Sequence, residues 1–192
     1  MIDQEIEIIR LTHIAKFTKK ILDIDWFRRT NQPLSIHDKE LSEKYISAIG
    51  FPEANISNVP GWSEAAGIAE NPNWNSNWWE AEEQLRSALL AQSLESINDN
   101  ELSHALNHVT TQTAGQSLEA VAFDKFAEEL DDLDYYQSFV NAAAGMAIAS
   151  AYQAALVLSA SAHEDHPFSL KFQLFENGRL PLGIIGNTFS IF

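Results

Sequence analysis

The chain has 192 residues, of which 45% are hydrophobic and 20% are charged, and it contains no cysteine. These proportions are typical of a folded globular protein, and the missing cysteines exclude disulfide bonds, thiolate zinc sites and cysteine nucleophiles. The formal net charge is −15 at pH 7, and a surface of this sign repels nucleic-acid phosphates and anionic membranes. We therefore expect one globular domain, residues 1–192, that binds neither nucleic acid nor membranes.

The charge is unevenly distributed along the chain. Residues 1–29 hold six of the twelve basic residues, whereas the remainder is strongly acidic. The acidic surface is compatible with a basic protein partner, although acidity alone often serves solubility. No basic stretch leads into an apolar one at the N-terminus, so no secretory signal is evident and we expect a cytoplasmic protein.

Hydrophobic periodicity predicts two helices near the N-terminus. The first covers residues 5–29 and has one apolar and one charged face. The second lies between Ser35, a suitable N-cap, and Gly50, a suitable left-handed terminator. Residues 51–76 are punctuated by proline and predict a long irregular connection with one or two helical turns near residues 63–69.

Four of the five tryptophans lie at the end of this connection, close to several asparagines. They are Trp62, Trp74, Trp78 and Trp79. Two interpretations remain open. The rings pin a long loop to the core, because each one buries a large area. Alternatively, flat aromatic rings beside polar amides form a binding surface, since tryptophan is enriched among the residues that dominate interfaces.

Three pairs of residues resemble capping boxes and mark the starts of further helices. The pairs are Asn77 with Glu80, Asn98 with Glu101, and Asp134 with Gln137. They predict helices over residues 77–96, 98–113 and 134–162. An amphipathic pattern predicts one more helix over residues 116–130.

The predicted helix 134–162 has no charged residue after Asp134 and is rich in alanine. Its length would permit a membrane span. However, alanine contributes little to insertion and several polar side chains dilute the rest. We interpret it as a central helix that neighbouring helices approach closely. The acidic run just before it, residues 128–134, lacks the glycine and closing glutamate of an EF-hand loop and predicts a hydrated face.

The C-terminal residues change character. Residues 168–174 alternate between apolar and polar side chains, which predicts a half-buried strand. The pair Asn177-Gly178 is a hairpin signal, and residues 180–185 and 188–192 predict two more strands. The expected fold is therefore α+β and mainly α. It has five to seven helices within residues 5–162 around the uncharged helix, and a small antiparallel β-meander at residues 168–192.

Two histidine clusters are candidates for metal binding. Glu101, His104 and His108 have the spacing that places three ligands on one helical face. That face points away from the apolar residues of the same helix, so a solvated polar face is the alternative. His163 and His166 lie at the end of the long helix. They would complete a metal site only if the two clusters met in space.

Motifs of phosphate-binding loops and of a nucleophile elbow do not occur in the sequence. We expect no cofactor. The first functional hypothesis is a non-enzymatic binding or protein-interaction module, which acts through the tryptophans or the acidic surface on a protein partner or a second copy of the chain. The alternative is a metal-dependent hydrolase that uses the helical Glu/His/His cluster.

Overall fold

The computed structural model describes residues 2–127 and 133–192. These residues form seven helices and three strands: α1 Ile2–Ile21, α2 Ile36–Ala48, β1 Asn55–Asn58, α3 Trp62–Ala69, α4 Ser76–Leu94, α5 Asp99–Ala127, α6 Leu133–Ala160, α7 Pro167–Glu176, β2 Pro181–Ile185 and β3 Thr188–Ile191. The predicted class, α+β and mainly α, is confirmed.

Helix α6 is the central helix, as its uncharged sequence predicts. It packs against α1, α3, α4, α5 and α7. Alanines at 143, 147, 151 and 155 are fully buried, and their small side chains let the neighbouring backbones approach. Among the described residues, only Gln137–Ala160 is long and apolar enough for a membrane span, and 61% of the qualifying window is buried inside the fold. This burial is consistent with a soluble protein.

The helix boundaries near the N-terminus follow local capping rules with one exception. The capping box of α2 joins Ser35 and Asp38, and Gly50 has the left-handed φ of +98° that the sequence predicts. The first helix, however, ends at Ile21 and not at residue 29. Trp26 and Phe27 follow in a series of turns, where both rings are buried in the core.

Two other predicted boundaries are wrong. Helix α4 is capped by Asn75, whose side chain accepts the N–H of Trp78, and not by Asn77. Helix α5 is continuous through Gly115, where the sequence predicts two helices. Gly115 is exposed and tolerated within the helix. Residues 128–132 of the acidic run lie outside the described residues, as does the predicted capping by the Asp134 side chain.

The predicted strand at residues 168–174 is wrong, because this segment forms α7. Pro167 occupies the first turn and the His166 side chain caps the helix. The alternation arises because α7 is buried on two sides. Phe168, Phe172 and Phe175 belong to the main core. Leu170 and Leu174 belong to a second buried cluster with α2 and the sheet. A helix with two buried faces gives an apolar pattern that resembles a strand.

The sheet is mixed and has the order β1-β3-β2. Strands β2 and β3 pair in antiparallel fashion, as predicted, and the register shifts between Pro181 and Gly183. The predicted hairpin turn at Asn177-Gly178 is wrong, because Asn177 is the C-cap of α7 and Gly178 follows it with a left-handed φ of +77°. The third strand is β1, which pairs in parallel with β3. The sheet is therefore not a meander, and its parallel edge strand comes from the connection that the sequence predicts as irregular.

Candidate functional site

A partly enclosed cleft of about 370 Å³ lies between α4, α6, α7 and β2. We call it the α4–α7 cleft. Its walls consist of Trp78, Trp79, Glu82, Glu83 and Arg86 from α4, Met146, Ala149 and Gln153 from α6, Lys171 from α7, and Pro181 and Leu182 from β2. It combines an apolar floor with several charged and amide groups, which is the composition of a ligand site.

Helical spacing arranges the α4 residues in two rows. Trp78 and Glu82 are one turn apart and form the inner, buried row. Trp79, Glu83 and Arg86 form the outer row at the mouth of the cleft. The Trp79 ring is 61% exposed, although a side chain of this size usually gains from burial. The mouth of the cleft therefore carries a large apolar surface that the described chain leaves uncovered.

The inner wall contains a nearly buried ion pair. Lys171 Nζ lies 2.6 Å from Glu82 Oε1, and the two residues are 9% and 8% exposed. The Lys171 ammonium also lies 5.5 Å above the Trp78 ring. Removing both charges from water costs free energy that their attraction roughly offsets, so such a pair is weak evidence for a role in stability. Its position beside a cleft makes it a candidate for binding.

The ion pair is extended by a buried tyrosine. Tyr45 donates its hydroxyl to Glu82 Oε1 at 2.6 Å and accepts the indole N–H of Trp78 at 2.9 Å. Burial, and secondarily the charge of Glu82, raise the pKa of Tyr45 well above its usual value. Tyr45 is therefore a neutral donor that holds Glu82 in place from the α2 side.

Gln153 is a buried polar residue in the lining of the same cleft. The residue is 8% exposed, and its side-chain oxygen has no hydrogen-bond partner among the described residues. A buried polar atom without a partner costs about 1–3 kcal/mol. The oxygen itself is closed to solvent, so it is not open to a ligand in the cleft.

A second ion pair lies at the mouth. Arg86 donates Nε to Glu83 Oε2 at 2.9 Å, and a second contact joins Nη2 to Oε1. This bidentate contact lowers the pKa of Glu83 and raises that of Arg86, which also contacts Tyr152. Because the pair is partly exposed, we expect it to contribute little to stability. With the inner pair, it makes the cleft electrically neutral.

The structure separates the four predicted tryptophans. Trp62 is buried in the core, where its ring meets Phe139 and Phe192 at centroid distances of 5.6 and 4.8 Å. Trp74 is half-buried and stacks on Trp78 at 6.1 Å. Trp78 and Trp79 line the cleft. Trp62 therefore lies where an anchor would lie, and Trp79 where a binding residue would lie.

The candidate metal ligands lie apart from the cleft lining. Glu101, His104 and His108 are exposed on α5, and His163 is exposed after α6. His166 is half-buried, and its Nδ1 accepts the N–H of Phe168 at 3.2 Å. No group of three or more histidine, aspartate or glutamate side chains could hold a metal ion within the part of the chain that the structure describes. The metal-dependent hydrolase therefore gains no geometric support.

The three buried polar residues of the cleft, Glu82, Gln153 and Lys171, were not candidates in the sequence. A signal exists for two of them. Lys171 is the one charged residue inside the apolar run 168–175, and Gln153 interrupts the alanine-rich part of α6. A lone polar side chain in an apolar segment indicates either a buried partner or a ligand. The partner of Lys171, and the cleft that both residues line, can be identified only once α4, α6 and α7 are packed together.

No family model matches the chain, and no curated protein or solved structure matches it. The geometry of the α4–α7 cleft is therefore the basis for a functional proposal.

Proposed function

We propose that the protein is a non-enzymatic protein-interaction module that holds a short segment of a partner protein in the α4–α7 cleft. The observation that carries this proposal is the exposed ring of Trp79 beside a neutral, nearly buried polar wall. Tryptophan and arginine dominate the binding energy of many interfaces, and Trp79 and Arg86 occupy the same outer row of α4. We expect the protein to act in the cytoplasm.

The size of the cleft favours a segment over a large ligand. Its volume of about 370 Å³ lies at the lower end of the range for pockets that enclose whole small molecules, roughly 300–1,000 Å³. A cleft of this volume accommodates one or two side chains, with the rest of the partner lying across Trp79. Burial of the Trp79 ring would then supply much of the apolar contact.

The state of the charged groups favours binding over catalysis. Each is held by an opposite charge, Glu82 by Lys171 and Glu83 by Arg86. A general base or a nucleophile needs a free form of its reacting group near the substrate. Groups that are already paired serve better to orient a ligand.

Net charge indicates which kind of partner approaches. Two copies of a chain with a net charge of −15 repel each other, so we propose a different protein as the occupant. Basic residues that flank the bound segment would be attracted to the acidic surface and would accelerate association. The attraction between exposed charges weakens as salt is added.

A random-peptide display library tests the proposal. The full chain is the bait, and every enriched peptide is then measured against both the unmodified chain and Trp79→Ala. We expect peptides whose affinity for Trp79→Ala falls at least about tenfold, which corresponds to about 1.4 kcal/mol. Leu94→Ala is the matched control, because Leu94 is another exposed apolar residue of α4 outside the cleft. Equal affinity for the unmodified chain and Trp79→Ala, or an equal loss with Leu94→Ala, would overturn the proposal.

A further inference from the structure

We infer that the outer edge of β1 binds an extended segment of a partner protein, which joins the sheet as a fourth strand. The sheet order β1-β3-β2 places this edge opposite β2, and β2 is the strand that lines the α4–α7 cleft. The β1 edge is therefore a second surface, and its role does not depend on the proposed function of the cleft.

The hydrogen bonds between β1 and β3 determine which backbone groups of β1 face outwards. Asn55 and Val59 donate their N–H groups to carbonyls on the β3 side, at 2.9 and 2.8 Å. The N–H and C=O groups of successive strand residues point to alternate edges, so Ile56 and Asn58 direct theirs away from β3. Each of these two residues offers one donor and one acceptor to a neighbouring strand.

The outward-facing groups form a row with defined ends. Before it, Ala54 already donates its N–H to the Phe51 carbonyl at 3.1 Å. After it, Pro60 has no N–H to donate. Between these ends, no segment of the described chain other than β3 pairs with β1. The outer groups of Ile56 and Asn58 are thus left for a strand from another molecule.

Apart from its short length, β1 lacks the features that usually protect an edge strand. Protected edges carry charges, proline or a bulge, which prevent pairing with another chain. Asn55–Asn58 contains neither a charge nor a proline, and its register with β3 is regular. Asn58 is exposed and Ile56 is half-buried. The edge is therefore open to a segment that adds through main-chain hydrogen bonds, an established mode of peptide recognition.

A groove of about 790 Å³ lies beside the start of this edge, between α2 and β1. Its volume is about twice that of the α4–α7 cleft. Ile46, Ala54 and Ile56 supply the apolar part of its lining. The groove has space for side chains of the added strand, and such side chains supply the specificity that main-chain pairing lacks.

The α2 wall of the groove carries charges of both signs. Lys39, Glu40, Glu43 and Lys44 line it, and all four are exposed. Within the described residues, none of them forms an ion pair. Alternate side chains of a strand share one face. A segment with an acidic and a basic residue at alternate positions would therefore pair with both signs, whereas a segment of one sign would meet like charges.

The occupant is a segment of a different protein rather than a second copy of the chain. Strand β1 of a second copy is uncharged and would leave the charges of α2 unpaired. Two chains with a net charge of −15 also repel each other. Analytical ultracentrifugation should therefore show a monomer. Self-association that is lost in Asn58→Pro would make a second copy the occupant and overturn this choice.

The binding test starts from peptides enriched by random display on the full chain. Each peptide is measured by fluorescence anisotropy against the unmodified chain, Asn58→Pro and Asn58→Ala. Proline removes an outward N–H and places its ring in the path of the added strand, whereas alanine keeps the N–H and is the matched control. We expect peptides that bind Asn58→Pro at least about tenfold more weakly, a difference of about 1.4 kcal/mol. The same peptides should bind Asn58→Ala and Trp79→Ala as tightly as the unmodified chain.

If no enriched peptide depends on residue 58 in this way, the inference is overturned, and the Trp79-dependent peptides still decide the proposed function. In the peptides that do, replacement of the acidic and basic residues by glutamine should weaken binding about two- to fivefold at low salt. Equal affinity after this replacement would contradict the role of the α2 charges.

Two further measurements use the unmodified chain, so they do not depend on the folding of a variant. N-methylation of the peptide should abolish binding at every second position, because alternate N–H groups face β1. The bound peptide should also slow hydrogen exchange of the Ile56 and Asn58 amides at least about tenfold. Equal losses at neighbouring methylated positions, or unchanged exchange of both amides at saturation, would show that the peptide does not pair with β1.

Discussion

Lys171 of α7 and Glu82 of α4 form an ion pair of 2.6 Å that is almost shielded from solvent. The pair connects two helices that are far apart in the sequence, and Tyr45 joins it to α2 through the same carboxylate oxygen. It is therefore both a junction of three helices and one wall of the α4–α7 cleft. Its energetic role can be separated from its role in binding by substitution of one partner or of both.

We expect Lys171→Met to destabilise the fold by about 3 kcal/mol, because Glu82 would remain buried without its counter-charge. The double variant Glu82→Gln with Lys171→Met should be more stable than Lys171→Met alone, since a neutral amide still accepts the hydroxyl of Tyr45. Urea denaturation of the unmodified chain, both single variants and the double variant measures the coupling free energy. Glu83→Gln, which breaks the partly exposed pair with Arg86, is the control and should cost far less than Lys171→Met. Additive losses would show that the two charges do not interact.

Gly183 allows β2 to pack closely against the rings of Trp74 and Trp78. Its φ is +112°, and an added Cβ would lie 2.6 Å from Trp74 Cζ3 and 2.7 Å from Trp78 Cη2. We expect Gly183→Ala to cost more than about 2 kcal/mol, from backbone strain and from displacement of the two rings.

Gly145→Ala is the matched control for this prediction. Gly145 lies within α6, and an added Cβ there would meet nothing within 4 Å. Alanine should stabilise the helix by about 0.5–1 kcal/mol. Thermal unfolding, with tryptophan fluorescence as the probe, reports both the stability and the environment of Trp78. A melting temperature of Gly183→Ala equal to that of the unmodified chain would contradict the close packing of β2 on the two rings.

Arg179 fastens the C-terminal segment to the start of α2. It is fully buried and donates to Asp38 Oδ2 from Nε at 3.2 Å and from Nη2 at 3.0 Å. Its other N–H groups donate to the carbonyls of Arg29, Gln32 and Pro33. Burial alone would raise the pKa of Asp38, but hydrogen bonds from Ser35 and Arg179 outweigh it and lower the pKa.

We expect Arg179→Met to cost about 3–5 kcal/mol, since it removes the buried counter-charge of the Asp38 carboxylate and takes one side-chain donor from each of three carbonyls. Arg179→Lys should recover only part of the loss, because an ammonium has three donors where the guanidinium has five. Arg28→Met removes the exposed pair with Asp25 and should change stability by less than about 1 kcal/mol. Chemical denaturation measures the free energy of unfolding of the three variants. Similar losses for Arg28→Met and Arg179→Met would contradict the role assigned to Arg179.

His166 makes the stability of the fold depend on pH. Burial lowers its pKa below the usual 6.5, and its neutral Nδ1 caps α7. The unfolded chain therefore takes up a proton as pH falls below about 6.5, whereas the folded chain does so only at lower pH. The contribution of neutral His166 to the free energy of unfolding is complete above about pH 6.5. It is lost as the pH falls through the pKa that His166 has in the folded chain.

His166→Asn should retain the cap, because asparagine is a preferred N-cap residue, and should reduce the loss of stability between about pH 7.5 and about pH 5.5. His163→Asn replaces an exposed neighbour and should lose as much stability over this interval as the unmodified chain. The measurement is the melting temperature of the unmodified chain and of both variants at these two pH values. A His166→Asn variant as sensitive to pH as the unmodified chain would contradict the assigned role.

The sequence predicted the features that depend on local rules. The Ser35 cap of α2 and the left-handed Gly50 follow from short-range chemistry, and the central position of α6 follows from its alanine-rich, uncharged composition. Helix α7 was missed because its two buried faces belong to different clusters. The pairing of β1 with β3 joins residues more than a hundred positions apart, so no local pattern indicates it.

The same distinction applies to the candidate site. Trp78 and Trp79 were candidates because tryptophans beside polar amides are typical of binding surfaces. The chemistry beside them comes from Gln153 and Lys171, which belong to other helices. Their convergence depends on the packing of α4, α6 and α7, and it could not be read from spacing along the chain.

The most direct test of the binding proposal is a ¹⁵N NMR titration that follows the indole N–H signals of the five tryptophans. The probe is a display-selected peptide that depends on Trp79. We expect the signals of Trp78 and Trp79 to shift as the cleft fills, while those of the core residues Trp26 and Trp62 stay in place. Shifts confined to Trp26 or Trp62, or saturation of binding with Trp78 and Trp79 unmoved, would show that the α4–α7 cleft is not the binding site.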